Sequence, residues 1–276
     1  MHAKLGQHFL INPGVTRTAI TALDLEENDF IVEIGGGHGE LTFSLIAEAR
    51  KHKNIEIATI EKDGGLARGI KHKIKELSLG KLVNVIESDV LCALPDLVKS
   101  MAPKKNGYKI IGNIPYYITG RIIRSVGELN PRPRLTVLTI QKEVALRISA
   151  MPPDMNLLAA SVQYWAEPKI LVYVSKNSFK PRPKVDSAII KLITKKDKAN
   201  FEDKIYYKLL KTIFKQPRKT ILNNLLSDEQ RSVTDKNTYR TAILELFSKI
   251  AIDSNARPQT LSVENIKTIG QILYNE

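Results

Sequence analysis

The sequence predicts an α/β protein: a mostly parallel sheet with helices on both faces, followed by a smaller all-helical domain. Three observations lead there. Apolar runs of strand length recur at residues 30–34, 55–60, 82–86, 108–112 and 135–140, with helical spacing between them. Such alternation builds a parallel sheet covered on both sides. The run 30–34 enters Gly35-Gly36-Gly37-His38-Gly39 and a helical pattern begins at Glu40, a strand–turn–helix order that lets backbone N–H groups approach a ligand closely. After Lys195-Lys196-Asp197-Lys198 the strand-like runs stop, and from Phe201 only helical spacing remains, as in Ile205, Leu209, Ile213 and Ile243, Leu246, Phe247. The expected domains are therefore residues 1–197 and 198–276.

Residues 4–12 form a short arm with an unusual mixture of polar and aromatic side chains. Asn12-Pro13 signals a helix start, and Val15 to Leu23 carries helical apolar spacing. Within the sheet region the expected order is strand Phe30–Ile34, helix Glu40–Arg50, strand Ile55–Ile60, a helix from about Gly65 to Leu77, and strand Leu82–Ile86. A segment at Pro95–Ser100 and the polar turn Lys104-Lys105-Asn106-Gly107 precede strand Tyr108–Gly112. Helix Arg121–Leu129, strand Leu135–Ile140 and a helix from near Lys142 continue the rhythm. Runs Lys169–Val174 and Ser187–Ile193 are joined by a loop rich in proline and basic residues, Phe179 to Asp186, with no helix between. That arrangement predicts an antiparallel hairpin at the sheet edge.

With 276 residues and a formal charge of +13, the chain has ample core and an excess of positive charge that points to a polyanion, nucleic acid above all. No apolar run reaches the length of a membrane span, and Met1 to Leu10 lacks a hydrophobic signal core. A cytoplasmic protein is expected. Cys92 is the only cysteine and the five histidines show no ligand spacing, so neither disulfide nor metal is expected. Nothing in the sequence calls for an obligate oligomer, so the expected state is a monomer.

Ligands of open α/β sheets bind beyond the carboxyl ends of the strands, and the polar markers of this chain fall there. Glu61 closes the second strand and suits the hydroxyls of a ribose; Asp89 follows the third and could accept from an adenine amine. With the glycines, Gly35 and Gly37 foremost, they describe a site for an adenosine-containing cofactor without choosing between a nicotinamide dinucleotide and S-adenosylmethionine. Asn113-Ile114-Pro115-Tyr116, after the fourth strand, makes that choice. The lone pair of an adenine amine is delocalised into the ring, so methyl transfer to it needs acceptors for its N–H protons. The Asn113 side-chain oxygen and the Ile114 carbonyl could supply them. Pro115 stiffens the turn and Tyr116 can stack on the base.

At these residues the chain resembles the ribosomal RNA adenine dimethyltransferases of the KsgA type. The matching pieces are Gly6-Gln7-His8-Phe9-Leu10, the Glu33–Thr42 loop, Asn113–Tyr116, Gln141-Lys142-Glu143-Val144, Phe179–Asp186 with Ser187-Ala188, and Phe214–Thr220 with Asn223-Asn224-Leu225. The resemblance spans essentially the whole chain. It implies a Rossmann-like class I methyltransferase sheet that uses S-adenosylmethionine to convert two adjacent adenosines near the 3′ end of small-subunit rRNA to N6,N6-dimethyladenosine. The substrate would be an immature small ribosomal subunit. Carried over residue by residue, the cofactor contacts fall on His8, Leu10, Gly35, Glu61, Asp89 and Asn113, with Gln7 and Gly37 beside them. Phe179 matches an aromatic that sandwiches the target base opposite Tyr116. The chain has Gly36 where the family commonly has proline, which implies a looser loop, and Tyr117-Ile118-Thr119 departs from the usual continuation.

Lys180, Arg182 and Lys184 in the hairpin loop, and Lys215, Arg218 and Lys219 in the helical region, are the candidate RNA contacts. Rival readings are an Erm-type enzyme acting on large-subunit rRNA, a ribosome-assembly factor with dispensable catalysis, and a nicotinamide-dependent dehydrogenase. The Phe179–Asp186 and Phe214–Thr220 motifs favour the small subunit, and the intact Asn113–Tyr116 motif favours retained methyl transfer.

Overall fold

The computed structural model describes residues 7–101, 107–196, 203–227 and 236–274. The expected polar turn at 104–106, the arm before Gln7, and the first steps past residue 197, Phe201 included, lie outside the described residues. Two compact units result: residues 1–146 with 166–194, and residues 147–165 with 195–276.

The first unit opens with β1 (Phe9–Leu10) and α1 (Pro13–Ala22). The Asn12 side chain caps α1 by accepting from the Gly14 and Val15 N–H groups, with Pro13 at the first helical position, where a missing N–H costs nothing. Then follow β2 (Phe30–Ile34), α2 (Glu40–Ala49), β3 (Glu56–Glu61), α3 (Gly64–Glu76) and β4 (Val83–Glu87). Next come α4 (Val90–Met101), β5 (Lys109–Asn113), α5 (Thr119–Glu128), β6 (Leu135–Gln141) and α6 (Lys142–Ile148). Helix α4 begins five residues before the predicted segment at Pro95, because Asp89 caps its first turn through the Leu91 N–H. The helix then runs on through the proline.

Seven strands form one sheet in the order β4-β3-β2-β5-β6-β9-β7, where β7 is Ala166–Val174 and β9 is Ser187–Thr194. Strands β2 to β6 pair in parallel, while β9 runs antiparallel to both β6 and β7. The hairpin predicted from the lack of a helix is therefore present, with a bulge between Ile170 and Val172. Every residue of β2 is buried, as a central strand covered on both faces requires. Inside the hairpin loop, β8 (Phe179–Lys180) turns back and pairs antiparallel with β1, Leu10 opposite Phe179. At the amino ends of the strands, buried Lys109 donates to Asp29 Oδ2 at 2.7 Å and to the Asp24 carbonyl, while Arg134 donates to Asp29 Oδ1 at 2.5 Å. That cluster closes the end of the sheet opposite the strand ends that carry Glu61 and Asn113.

The second unit holds α7 (Leu157–Gln163), α8 (Asp203–Ile213), α9 (Ile221–Leu226), α10 (Lys236–Lys249) and α11 (Val263–Tyr274). A boundary read along the sequence leaves α7 with the sheet; in space α7 packs with the later helices. Tyr164 and Tyr206 stack at 3.9 Å between ring centroids, and the Tyr206 hydroxyl donates to the Ala160 carbonyl at 3.0 Å. Between α8 and α9, buried Asn224 organises the Lys215–Thr220 turn. Its Oδ1 accepts from the Gln216 N–H at 3.0 Å, and its Nδ2 donates to the Gln216 and Thr220 carbonyls at 3.1 and 3.0 Å.

Candidate active site

The carboxyl ends of β2, β3, β4 and β5 meet around one pocket, lined among others by Gly35, Gly37, Glu61, Asp89, Asn113 and Tyr116. Parallel pairing of neighbouring strands puts these ends side by side. The glycine loop crosses the floor. Gly35 and Gly37 hold φ of +79° and +56°, a region that side chains disfavour. A Cβ at Gly37 would come within 3.1 Å of the Phe9 ring. Gly36 is different: a Cβ there would lie 2.6 Å from Thr59 Cγ2 and 2.7 Å from Ile70 Cδ1. The space a larger residue would take is already filled by these two side chains, so absence of the proline leaves a packed loop rather than a hollow one.

Glu61 is 3% exposed and anchors the loop from below. Its Oε2 accepts from the Gly37 N–H at 2.9 Å, and its Oε1 accepts from the Asp63 N–H at 2.8 Å. Two donors fix the carboxylate while each oxygen keeps a further lone pair. Asp89 accepts from the Leu91 N–H through Oδ1 and from the Lys62 ammonium through Oδ2, both at 2.9 Å. The Leu91 N–H first, then Lys62, hold its carboxyl below the usual range.

Asn113 ends β5. Its Nδ2 donates to the His8 carbonyl at 2.9 Å, so the arm meets the fourth strand end. His8 also donates from Nδ1 to the Pro181 carbonyl at 2.8 Å, and its ring lies 5.5 Å from that of Tyr116. The Tyr116 hydroxyl and Ser187 Oγ are 2.7 Å apart. Burial raises the Tyr116 pKa, against the Ser187 hydrogen bond that lowers it, so the ring stays a neutral phenol at physiological pH.

Gln7, His8, Gly35, Gly37, Glu61, Asp89, Asn113 and Tyr116 are thus brought to one place. Leu10 and Phe179 are not. They are 6% and 3% exposed and sit in the hydrophobic core with Val174 and Ile189. The period of two along a strand explains this: with Phe9 turned to the glycine loop, Leu10 turns inward, and pairing with Leu10 carries Phe179 to the core. The Phe179 ring, expected to sandwich the target base, is not among the residues that line the pocket. Phe9, Lys62, Tyr117 and Arg121, none of them a candidate site residue in the sequence reading, also line it. Alternation along the arm was the available signal for Phe9; for Lys62 and Arg121 there was none.

Beneath the loop, Glu33 is fully buried in β2. Its Oε2 accepts from Thr59 Oγ1 at 2.7 Å while Oε1 lacks a partner. Desolvation pushes its pKa up to about 7. Lys180, Arg182 and Lys184 are exposed around the β8–β9 loop of the first unit; Lys215, Arg218 and Lys219 are exposed on the turn organised by Asn224 in the second. Among the described residues no three or more His, Cys, Asp or Glu side chains group as metal ligands.

A family model described as "Ribosomal RNA adenine dimethylase" matches residues 1–268. The chain is 33% identical over 275 residues to "Ribosomal RNA small subunit methyltransferase A" of Dehalococcoides mccartyi, covering 99% of this chain and 88% of that protein. It is 36% identical over 272 residues to the protein of the same name from Alkaliphilus metalliredigens, covering 96% and 89%. Among solved structures, a dimethyladenosine transferase from Plasmodium falciparum superposes with a TM-score of 0.79 at 25% identity, covering 97% of this chain and 98% of that one. The 23S rRNA methyltransferase ErmE gives a TM-score of 0.71 at 21% identity over 95% of this chain and 98% of that one, which speaks for the shared fold alone.

Proposed function

Because the chain belongs to the ribosomal RNA adenine dimethylase family, we propose that its pocket holds the exocyclic amine of an rRNA adenosine against Asn113, beside a methyl donor seated on the glycine loop. The chain is an S-adenosylmethionine-dependent rRNA adenine dimethyltransferase. Bound S-adenosylmethionine supplies an activated methyl group on a sulfonium. The residues present fit it: a side-chain-free loop at Gly35 and Gly37, the fixed Glu61 carboxylate with lone pairs to spare for ribose hydroxyls, and Asp89 beside apolar Val90 and Leu91.

The observation that carries the assignment of roles is the Asn113–His8 hydrogen bond. With the amide nitrogen held by the arm, the amide oxygen is the atom left for the substrate. Asn113 Oδ1 and the Ile114 carbonyl then accept the two amine N–H bonds, which turns the lone pair out of the purine plane. Tyr116, steadied by Ser187, presents its ring to the base. No ionised base is required before transfer; catalysis comes from placement and from acceptors already oriented. Extruding the adenosine from its stack costs a few kcal/mol, which contact with the aromatic face offsets.

The substrate in this proposal is small-subunit rRNA within an immature subunit, modified at two adjacent adenosines near its 3′ end by a monomer in the cytoplasm. Relatives that carry the small subunit in their names support this choice over the large subunit. The exposed basic residues of each unit supply phosphate contacts. No helix among the described residues is long and apolar enough to cross a membrane. The test is incubation with labelled S-adenosylmethionine and undermethylated small or large subunits, followed by mapping of the modified bases. Label at two neighbouring adenosines of the small subunit is expected. Label confined to large-subunit rRNA would overturn the substrate assignment.

A further inference from the structure

Asp89 is expected to accept from an adenine amine, yet donors already occupy both its oxygens: the Leu91 N–H on Oδ1 and the Lys62 ammonium on Oδ2. Lys62 directly follows Glu61 at the end of β3, and Asp89 lies just past the end of the neighbouring β4. The ion pair therefore bridges two adjacent strand ends, and both residues line the pocket. Two further groups face it from α5 and the turn before it, Arg121 and Tyr117; Arg121 adds to the positive potential at Asp89. The Lys62 side chain is 57% exposed, and an ion pair so open to water contributes little to folding. Fold stability therefore gives no reason for it.

We propose that Lys62 is a positioning residue for the cofactor: it clasps Asp89 across the adenine end of the site, leaving one lone pair of Oδ2 aimed at the purine amine and its own methylene stem against the base. The inference rests on the cofactor reading given above for Glu61 and Asp89. Its chemistry is simple. A carboxylate oxygen has two lone pairs, so an ammonium and an amine N–H can share Oδ2 without displacement. Held from both sides, Asp89 cannot rotate its acceptor away, and less order is lost when the base arrives. The long stem covers apolar surface while its charged end stays in water. Sequence logic does not find this contact, since a lysine after a strand is ordinarily a solvated surface residue.

The test uses the full chain and calorimetric titration with S-adenosylhomocysteine, and with its analogue lacking the 6-amino group. Lys62→Met keeps the stem and removes the charge; Lys62→Ala removes both. The expected result for Lys62→Met is about five- to tenfold weaker binding of S-adenosylhomocysteine, the size of one lost hydrogen-bond contribution. Binding of the 6-deaminated analogue should be unchanged, and Lys62→Ala should weaken both compounds. Asp89→Asn serves as the reference. Loss with Asp89→Asn but none with Lys62→Met overturns the clasp and leaves the cofactor site standing. No loss with either variant overturns both. Tighter binding by Lys62→Met would mean that the ammonium blocks Asp89, and it also overturns the clasp.

Discussion

The Asn113 side-chain amide donates to the main-chain carbonyl of His8 at 2.9 Å, joining the end of the fourth parallel strand to an arm 105 residues earlier in the chain. An amide whose nitrogen is so engaged has one orientation, with its oxygen on the far side. The arm thereby selects the acceptor face of the residue on which amine recognition depends.

Replacing Asn113 by Ala should therefore lower single-turnover methyl transfer by at least about 100-fold, the scale of losing one preorganised group at a reacting centre. Affinity for S-adenosylmethionine should fall only in part, since Glu61, Asp89 and the glycine loop are untouched. Rapid-quench assays with saturating rRNA measure the first quantity and calorimetry the second. Normal turnover by the variant would exclude the role.

Tyr116 separates two contributions in one side chain. Tyr116→Phe removes only the contact to Ser187, so transfer should slow by a few fold, as expected for about 1 kcal/mol. Tyr116→Ala also removes the face offered to the base and should cost at least a further tenfold in kcat/KM for RNA. Equal behaviour of the two variants would argue against stacking.

Much of this arrangement was legible in the sequence. Periodicity located the strands of the sheet, and the rule that ligands bind beyond strand ends brought Gly35, Glu61, Asp89 and Asn113 together. What it missed came from contacts distant along the chain. The pairing of Leu10 with Phe179 spans the arm and the hairpin loop, and no local pattern reveals that both rows turn inward. The fold of α7 onto α8 depends on the Tyr164–Tyr206 stack, again a contact that linear reading cannot register. Lys62 escaped for a different reason: its partner, Asp89, lies past the end of the neighbouring strand.

A pair of variants at Phe179 separates a core role from a face offered to the base. Buried at 3% exposure among Leu10, Val174 and Ile189, it should behave as a core residue. Phe179→Ala should destabilise the chain by about 3–5 kcal/mol, while Phe179→Leu should retain most stability and most methyl transfer. If Phe179→Leu melts normally yet loses transfer by more than about tenfold, the ring reaches the substrate after all.

Glu33 makes stability depend on pH with a definite sign. Desolvation by burial, acting against the threonine hydroxyls beside it, raises its pKa from 4.5 to about 7 in the folded chain, so between those values the folded state holds a proton that the unfolded state has released. The contribution is complete below pH 4.5 and disappears as pH rises through 7, with a span on the order of 3 kcal/mol. Glu33→Gln has no proton to lose. Denaturant melts from pH 5 to 8 should show wild-type stability declining relative to the variant as pH rises. Parallel curves would show that Glu33 is ionised throughout.

The helical unit makes the final prediction. Arg218 and Lys219 are exposed on a turn that Asn224 holds through hydrogen bonds to Gln216 and Thr220, which presents their charges without the chain having to order on contact. If both meet phosphates, replacing them with Gln removes two released counterions. The slope of log K against log salt should then become shallower by about 2, with binding weaker at low salt and converging on the wild type at high salt. Methyl transfer at saturating RNA should be unchanged, because neither residue lines the pocket. Asn224→Ala should give the same shallower slope by a different route, since it keeps both charges and releases the turn. An unaltered slope in Arg218→Gln/Lys219→Gln would remove this turn from the RNA surface.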